Sequence, residues 1–184
     1  MIGMVEKVFG IGFHKTATKS LKEALEILGY KVTGPNGVQE VSTEKDLYKI
    51  VDNLLDSYNA FQDNPWPLVY EYLEKRYPNA RFILTLRDES EWIKSVVKYF
   101  GNKPTSMRKF IYGYAYPLGN EKHYIERYKK HNERVLEYFQ DKQEKLLILD
   151  ITKGDGWEKL CPFLNKEIPK MTQFPHKNKN EKHL

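Results

Sequence analysis

Apolar and polar positions change period several times along the chain, and each change predicts an element. Residues 7–13 (KVFGIGF) form a short apolar run bounded by charge, which predicts a buried strand. Small and polar residues 14–20 follow as a turn. Leu21, Ala24, Leu25 and Leu28 then recur at i, i+3, i+4 and i+7, the pattern of a helix with one buried face, ended by Gly29. A short strand over 30–33 precedes the turn sequence GPNG at 34–37. Thr43 and Asp46 have capping-box spacing ahead of a helix carrying Leu47, Ile50, Val51, Leu54 and Leu55. Residues 59–62 read as a brief strand ending at Asp63. Pro65 and Pro67 sit where a helix start tolerates proline, and Val69, Tyr72 and Leu73 carry that helix toward Pro78. Residues 81–86 (RFILTL) are the clearest strand, and Asp88 or Ser90 caps the helix bearing Trp92, Val96 and Tyr99.

Residues 101–119 predict a helix plus a loop whose Phe110, Tyr112, Tyr114 and Tyr116 either wall a binding site, as a lid, or belong to the core. A long helix over 121–140 places Tyr124, Tyr128, His131, Val135 and Tyr138 on one stripe. Residues 146–149 form an apolar strand ending in Asp150, residues 154–164 a last helix, and residues 169–184 a polar segment. Strands alternate with helices and nothing repeats. The expectation is α/β: a single domain over 1–184, three layers α/β/α around a central, mainly parallel sheet.

Composition narrows the function classes. The 184 residues are 40% hydrophobic and 14% aromatic, enough for one domain to bury a core. The single cysteine, Cys161, excludes a disulfide within the chain and a cysteine-built metal cage, and no metal site is expected. The first residues, MIGMVEK, lack a signal-peptide pattern, and no apolar run approaches the roughly 18 residues of a membrane span. The expectation is therefore a cytoplasmic protein without a membrane span. The net charge of +5 is spread among acidic residues. It describes no nucleic-acid stripe and suits an anionic small ligand.

The turn at 14–20 carries the chemistry. A strand, a turn of small residues with a lysine, and a helix together make an anion site. The helix N-terminus offers unpaired N–H groups and about half a positive charge. Lys15 adds a mobile charge, and Thr16, Thr18 and Ser20 add hydroxyls. The loop is P-loop-like but departs from G-x-x-x-x-G-K-[ST]: aligned on Lys19-Ser20, the glycine positions hold Phe13 and Thr18. Arg87 ends RFILTL, and Ser95 lies eight residues on, close enough for both to reach one phosphate.

These segments resemble the sulfotransferases that use 3′-phosphoadenosine-5′-phosphosulfate (PAPS), most of all a bacterial-type branch. The branch shares GxHKTGTTSL, Asp-x-Pro, YPxAKFILTxRD, YxxHNxxVxxYF, GWxxLCxFL and FPHxN. Here these read at 12–21, 63–65, 77–88, 128–139, 156–164 and 174–178, in order over nearly the whole chain. Ala17 stands where the family has Gly, and Lys19 where it usually has Thr.

The resemblance implies sulfuryl transfer from PAPS to a hydroxyl or amine of a small-molecule, glycan or lipid acceptor. Adenosine 3′,5′-bisphosphate (PAP) would be the product, with no metal. It implies that Lys15, Thr16, Ala17, Thr18, Lys19 and Ser20 hold the 5′ end of the nucleotide, that Arg87 and Ser95 hold the 3′-phosphate, and that FPHKN closes over it. Lys15 is also a catalytic candidate. Asp63 is the first candidate for a general base, against a helix cap on the segment at Pro65. His14 is the second. His131, on an apolar stripe, reads first as a hydrogen-bonded core residue. The alternatives are a small-molecule kinase using Lys19, Ser20, Mg²⁺ and Asp150, or a non-catalytic nucleotide-binding relic of the family.

Overall fold

The computed structural model describes residues 6–176. Its centre is a five-stranded sheet in the order β2-β3-β1-β4-β5, every neighbouring pair parallel. Strand β1 (Val8–Gly10) lies in the middle, between β3 (Ala60–Phe61) and β4 (Arg81–Thr85). Strands β2 (Val32–Thr33) and β5 (Leu146–Leu149) are the edges. Alternation along the strands divides the core in two, because successive side chains point to opposite faces. Phe9, Phe61, Phe82 and Leu84 pack under α2 (Glu44–Leu55), α3 (Tyr70–Arg76), α4 (Glu89–Phe100), α5 (Ser106–Tyr112) and α6 (Glu121–Tyr138). Val8, Val32, Ala60, Ile83 and Leu149 pack under α1 (Thr18–Ile27) and α7 (Trp157–Phe163). This is the expected three-layer α/β/α arrangement.

Local signals hold where their partners are close in sequence. Thr43 and Asp46 form the capping box in full, and Asp88 rather than Ser90 caps α4, accepting from the Ser90 and Glu91 amides. Gly29 ends α1 with φ +87°, and the amides of Gly29 and Tyr30 return to the carbonyls of Glu26 and Leu25, a Schellman ending. That ending consumes Tyr30, so β2 is shorter than the strand expected over 30–33. The run 7–13 also exceeds its strand. Ile11 still donates to Ile83 O at 2.8 Å, and then the chain must leave the sheet to form the loop. The helix expected from Pro65 divides into a 3₁₀ turn, Trp66–Leu68, and α3. The last helix also starts later than expected, after a 3₁₀ turn at Ile151–Lys153 and a left-handed Gly154.

Candidate active site

The loops leaving β1, β3 and β4 open at the carboxyl end of the sheet, where the strand order reverses. The β1 loop is held from below. Gly12 packs so tightly on Thr85 that a Cβ would lie 2.0 Å from its Oγ1, so glycine is required there for close approach. Thr16 is fully buried. Its hydroxyl donates to Phe13 O and meets Thr85 Oγ1, each at 2.6 Å. The Thr16 hydroxyl is thus a strut of the loop and is already engaged, unlike the ligand donor expected of it. Lys15 and Ala17 both have φ 65°. The alanine at the family's glycine position therefore adopts the left-handed backbone that glycine favours. No side chain caps α1 and no acidic residue occupies its first turn.

Lys15 is half-buried, with Nζ 3.8 Å from the Tyr99 ring centroid, and Lys19 Nζ lies 5.6 Å from the same ring. Burial, and then Lys19, push the Lys15 ammonium below its ordinary pKa, while Asp63 opposes them.

Asp63 has φ 63° and turns its carboxylate back toward α1. Oδ2 accepts from Thr18 Oγ1 at 2.7 Å, and Oδ1 accepts from the Asn64 amide at 2.7 Å. It does not cap the following 3₁₀ turn, whose start has no side-chain cap. Burial pushes this carboxyl up, against hydrogen bonds from Asn64 and Thr18 and the charge of Lys15. A carboxylate with raised basicity at a cleft edge is suited to accept a proton.

His14 lies beneath, 4% exposed, with Nδ1 3.0 Å from Asn64 Nδ2 and Nε2 3.0 Å from Tyr112 OH. Burial, then Arg108 and Lys15, lower its pKa to about 3, so the ring is neutral. With the Asn64 amide nitrogen toward the ring, Nδ1 accepts and the proton sits on Nε2. Both nitrogens are committed to protein partners, so the ring orients Asn64, the neighbour of Asp63. His131 donates from Nε2 to Ile11 O at 2.7 Å and stacks on Phe13 at 4.2 Å, the core role read for it.

Arg87 is set by α6. The Tyr128 hydroxyl accepts from the Arg87 amide at 3.0 Å and donates to Arg87 O at 2.9 Å. The guanidinium donates one bond to Lys15 O at 3.3 Å, and its buried Nε has no partner. Arg87 is not steadying the helix start: Asp88 caps α4 and Glu91 pairs with Lys94. Trp92 stacks on Tyr128 at 4.2 Å and donates from Nε1 to His14 O at 2.8 Å, tying α4 to the β1 loop.

A cleft of about 1440 Å³ joins these groups. Lys15, Ala17, Thr18, Lys19, Ser20, Asp63, His14, Arg87 and Ser95 all line it. Of the loop, 3′-phosphate and general-base candidates, Thr16 alone is absent from its wall. The segment 101–119 contributes to the cleft through residues other than those expected. Phe110, Tyr112, Tyr114 and Tyr116 lie outside the wall, while Thr105, Met107 and Arg108 line it. The β2 loop adds Pro35 and Val38, and Phe100 completes that side.

At the other end, Trp157 donates to Thr172 O at 2.9 Å and packs edge-on to Phe174, which brings His176 into the wall. Lys177 and Asn178 of the FPHKN segment lie outside the described residues. Asp150 caps the 3₁₀ turn after β5 and is not among the lining residues, so it does not complete a kinase-like arrangement with Lys19 and Ser20. Arg108, Met107, Val38 and Tyr99 were missed because no motif or spacing marks a side chain that reaches a site from a neighbouring helix or loop.

Comparison with known proteins bears on this arrangement. A model of the sulfotransferase domain matches residues 7–118 and 105–183. The chain is also 25% identical over 213 aligned positions to Ava biosynthesis cluster protein M of Aspergillus versicolor, covering 92% of this chain and 80% of that one. The family match runs across the β1 loop, the Arg87 strand end and α6, the elements that build the cleft, and on it this chain belongs to the sulfotransferase domain family.

Proposed function

We propose that the protein transfers a sulfuryl group from PAPS to a hydroxyl or amine of a small acceptor. The observation that supports this most is convergence: Lys15, the uncapped N-terminus of α1, Arg87, Ser95 and Asp63 come from three loops and two helices onto one cleft. The residues present fit a bisphosphorylated donor. The buried Nε of Arg87 lacks a protein partner, and the start of α1 carries no side-chain cap; both suit phosphate oxygens.

The donor supplies an activated sulfuryl group and a leaving phosphate. Lys15 and the first amides of α1 hold the 5′ end and offset the negative charge that builds on the leaving oxygen. Lys19 adds charge at the same end. Arg87 and Ser95 hold the 3′-phosphate and fix the register of the nucleotide. Asp63 takes the proton of the acceptor, and Thr18 keeps its carboxylate aimed. His14 stays neutral and orients Asn64.

The test is titration with adenosine 3′,5′-bisphosphate against adenosine 5′-monophosphate. One charge-assisted fork makes the bisphosphate bind about ten- to a hundredfold tighter, and Arg87→Ala erases most of that preference. Equal affinity of the wild type for the two nucleotides would overturn the reading.

A further inference from the structure

We propose that the acceptor carries an anionic group, a carboxylate or its equivalent, received by Arg108, with an apolar body lying against Pro35, Val38 and Met107. This rests on the sulfotransferase reading and names the acceptor class for the same cleft.

Besides the exposed Lys94 and Lys98 and the half-buried Lys22, the cleft has two cationic poles. One is the β1 loop with Arg87, assigned above to the nucleotide. The other is Arg108 on α5, on the wall built by the β2 loop and residues 100–108. Arg108 is only 4% exposed, yet it lines the cleft. Its partners are all neutral. Nε donates to Ala115 O at 3.2 Å, an Nη donates to Lys103 O, and the Phe100 ring lies 4.2 Å below the guanidinium carbon. Among the described residues, no carboxylate forms an ion pair with it.

Burying a full charge against neutral acceptors is costly unless an opposite charge arrives. Phe100, beneath Arg108, is also 4.9 Å from the His14 ring, which holds Asn64 beside Asp63. An acceptor whose hydroxyl faces Asp63 therefore has its far end within reach of Arg108. Phe100, Thr105, Met107, Pro35 and Val38 beside Arg108 are uncharged, and of the cations that line the cleft Arg108 alone is buried, so a carboxylate bound against that wall meets Arg108.

The experiment uses the full chain saturated with adenosine 3′,5′-bisphosphate, so that acids cannot occupy the nucleotide pole. Binding of 4-hydroxybenzoate, 4-hydroxyphenylacetate and 3-(4-hydroxyphenyl)propanoate is compared with that of their primary amides by calorimetry. At least one acid is expected to bind about ten- to a hundredfold tighter than its amide. Arg108→Gln is expected to abolish that preference at unchanged bisphosphate affinity. Because Arg108 also ties two loop carbonyls, Arg108→Lys is measured alongside; it keeps the charge and retains part of the preference. Equal binding of every acid and amide, binding of neither, or a preference that survives in Arg108→Gln overturns the proposal. Failure of the wild type to bind the bisphosphate instead overturns the sulfotransferase reading. The dependence of acid binding on Arg108 is then read on the nucleotide-free protein.

Discussion

Three non-glycine residues of the cleft hold left-handed backbone: Lys15, Ala17 and Asp63. Each such residue costs on the order of 1 kcal/mol, a strain that persists where the surrounding structure over-determines it. At Ala17 the side chain contributes only a methyl, so the cost is visible. Ala17→Gly is expected to stabilise the fold by roughly 0.5–1 kcal/mol, a rise of a few degrees in melting temperature, without weakening nucleotide binding. An unchanged or lower melting temperature would show that the methyl's packing on the α1 face outweighs the strain. Asp63 tests the base. Asparagine tolerates the same backbone; its Oδ1 still accepts from the Asn64 amide, and its Nδ2 donates to the Thr18 hydroxyl, which rotates to accept. Asp63→Asn is therefore expected to keep melting temperature and bisphosphate affinity while turnover falls by about two to four orders of magnitude. Undiminished turnover would place the base elsewhere.

At the scale of elements, α6 explains why its motif is spaced as it is. Tyr128 and His131 stand at i and i+3, on one helix face. Tyr128 brackets the backbone of Arg87 at the end of β4, and His131 holds Ile11 O just past β1. One helix thus fixes the two strand ends that carry the side chains proposed to bind phosphate. Tyr128→Phe leaves the Arg87 amide and carbonyl without their partner. The expected result is a loss of about 1–3 kcal/mol in stability and a severalfold weaker 3′-phosphate preference, read by melting and by the bisphosphate titration. A stability loss with the preference intact would confine Tyr128 to the core.

The whole molecule should be acid-labile. His14 and His131, with pKa values of about 3 and about 4, stay neutral in the fold because they are buried, and both gain protons near pH 6.5 on unfolding. A histidine depressed in this way loses its contribution as pH falls below 6.5, by at most about 1.4 kcal/mol per pH unit for each ring. Glu74 acts in the same sense lower down. Burial opposes its charge, but Lys145, Lys142 and Tyr138 donate to it and hold it at about 2, so its contribution fades as pH falls from about 4.5 toward 2. Asp63, with its carboxyl pushed up, works in the opposite direction. Denaturant midpoints are expected to fall steadily between pH 7 and 4, and a flat profile would show that the rings are solvated in the fold.

The sequence alone determined what depends on near neighbours. The loop after the first strand, the capping box, RFILTL and the α6 stripe were legible because each signal lies within about two turns or one strand. Lys15, Asp63 and Arg87 could be picked out as residues of suitable chemistry just past strand ends, and Ser95 as one two turns into the helix that follows. Tertiary structure decided which side chains face the cleft. It turned the Thr16 hydroxyl onto Thr85, and it joined His14 to Asn64 and Tyr112, 50 and 98 residues away. It also placed the tyrosines of 112–116 outside the wall and Arg108 within it. A seven-residue helix presents a different residue on every side, and the composition of the segment is the same whichever side is buried. The packing of α5 against α6 and the hydrogen bond from the Met107 amide to Val38 O contribute to that rotation, and with it to the charge that faces the cleft.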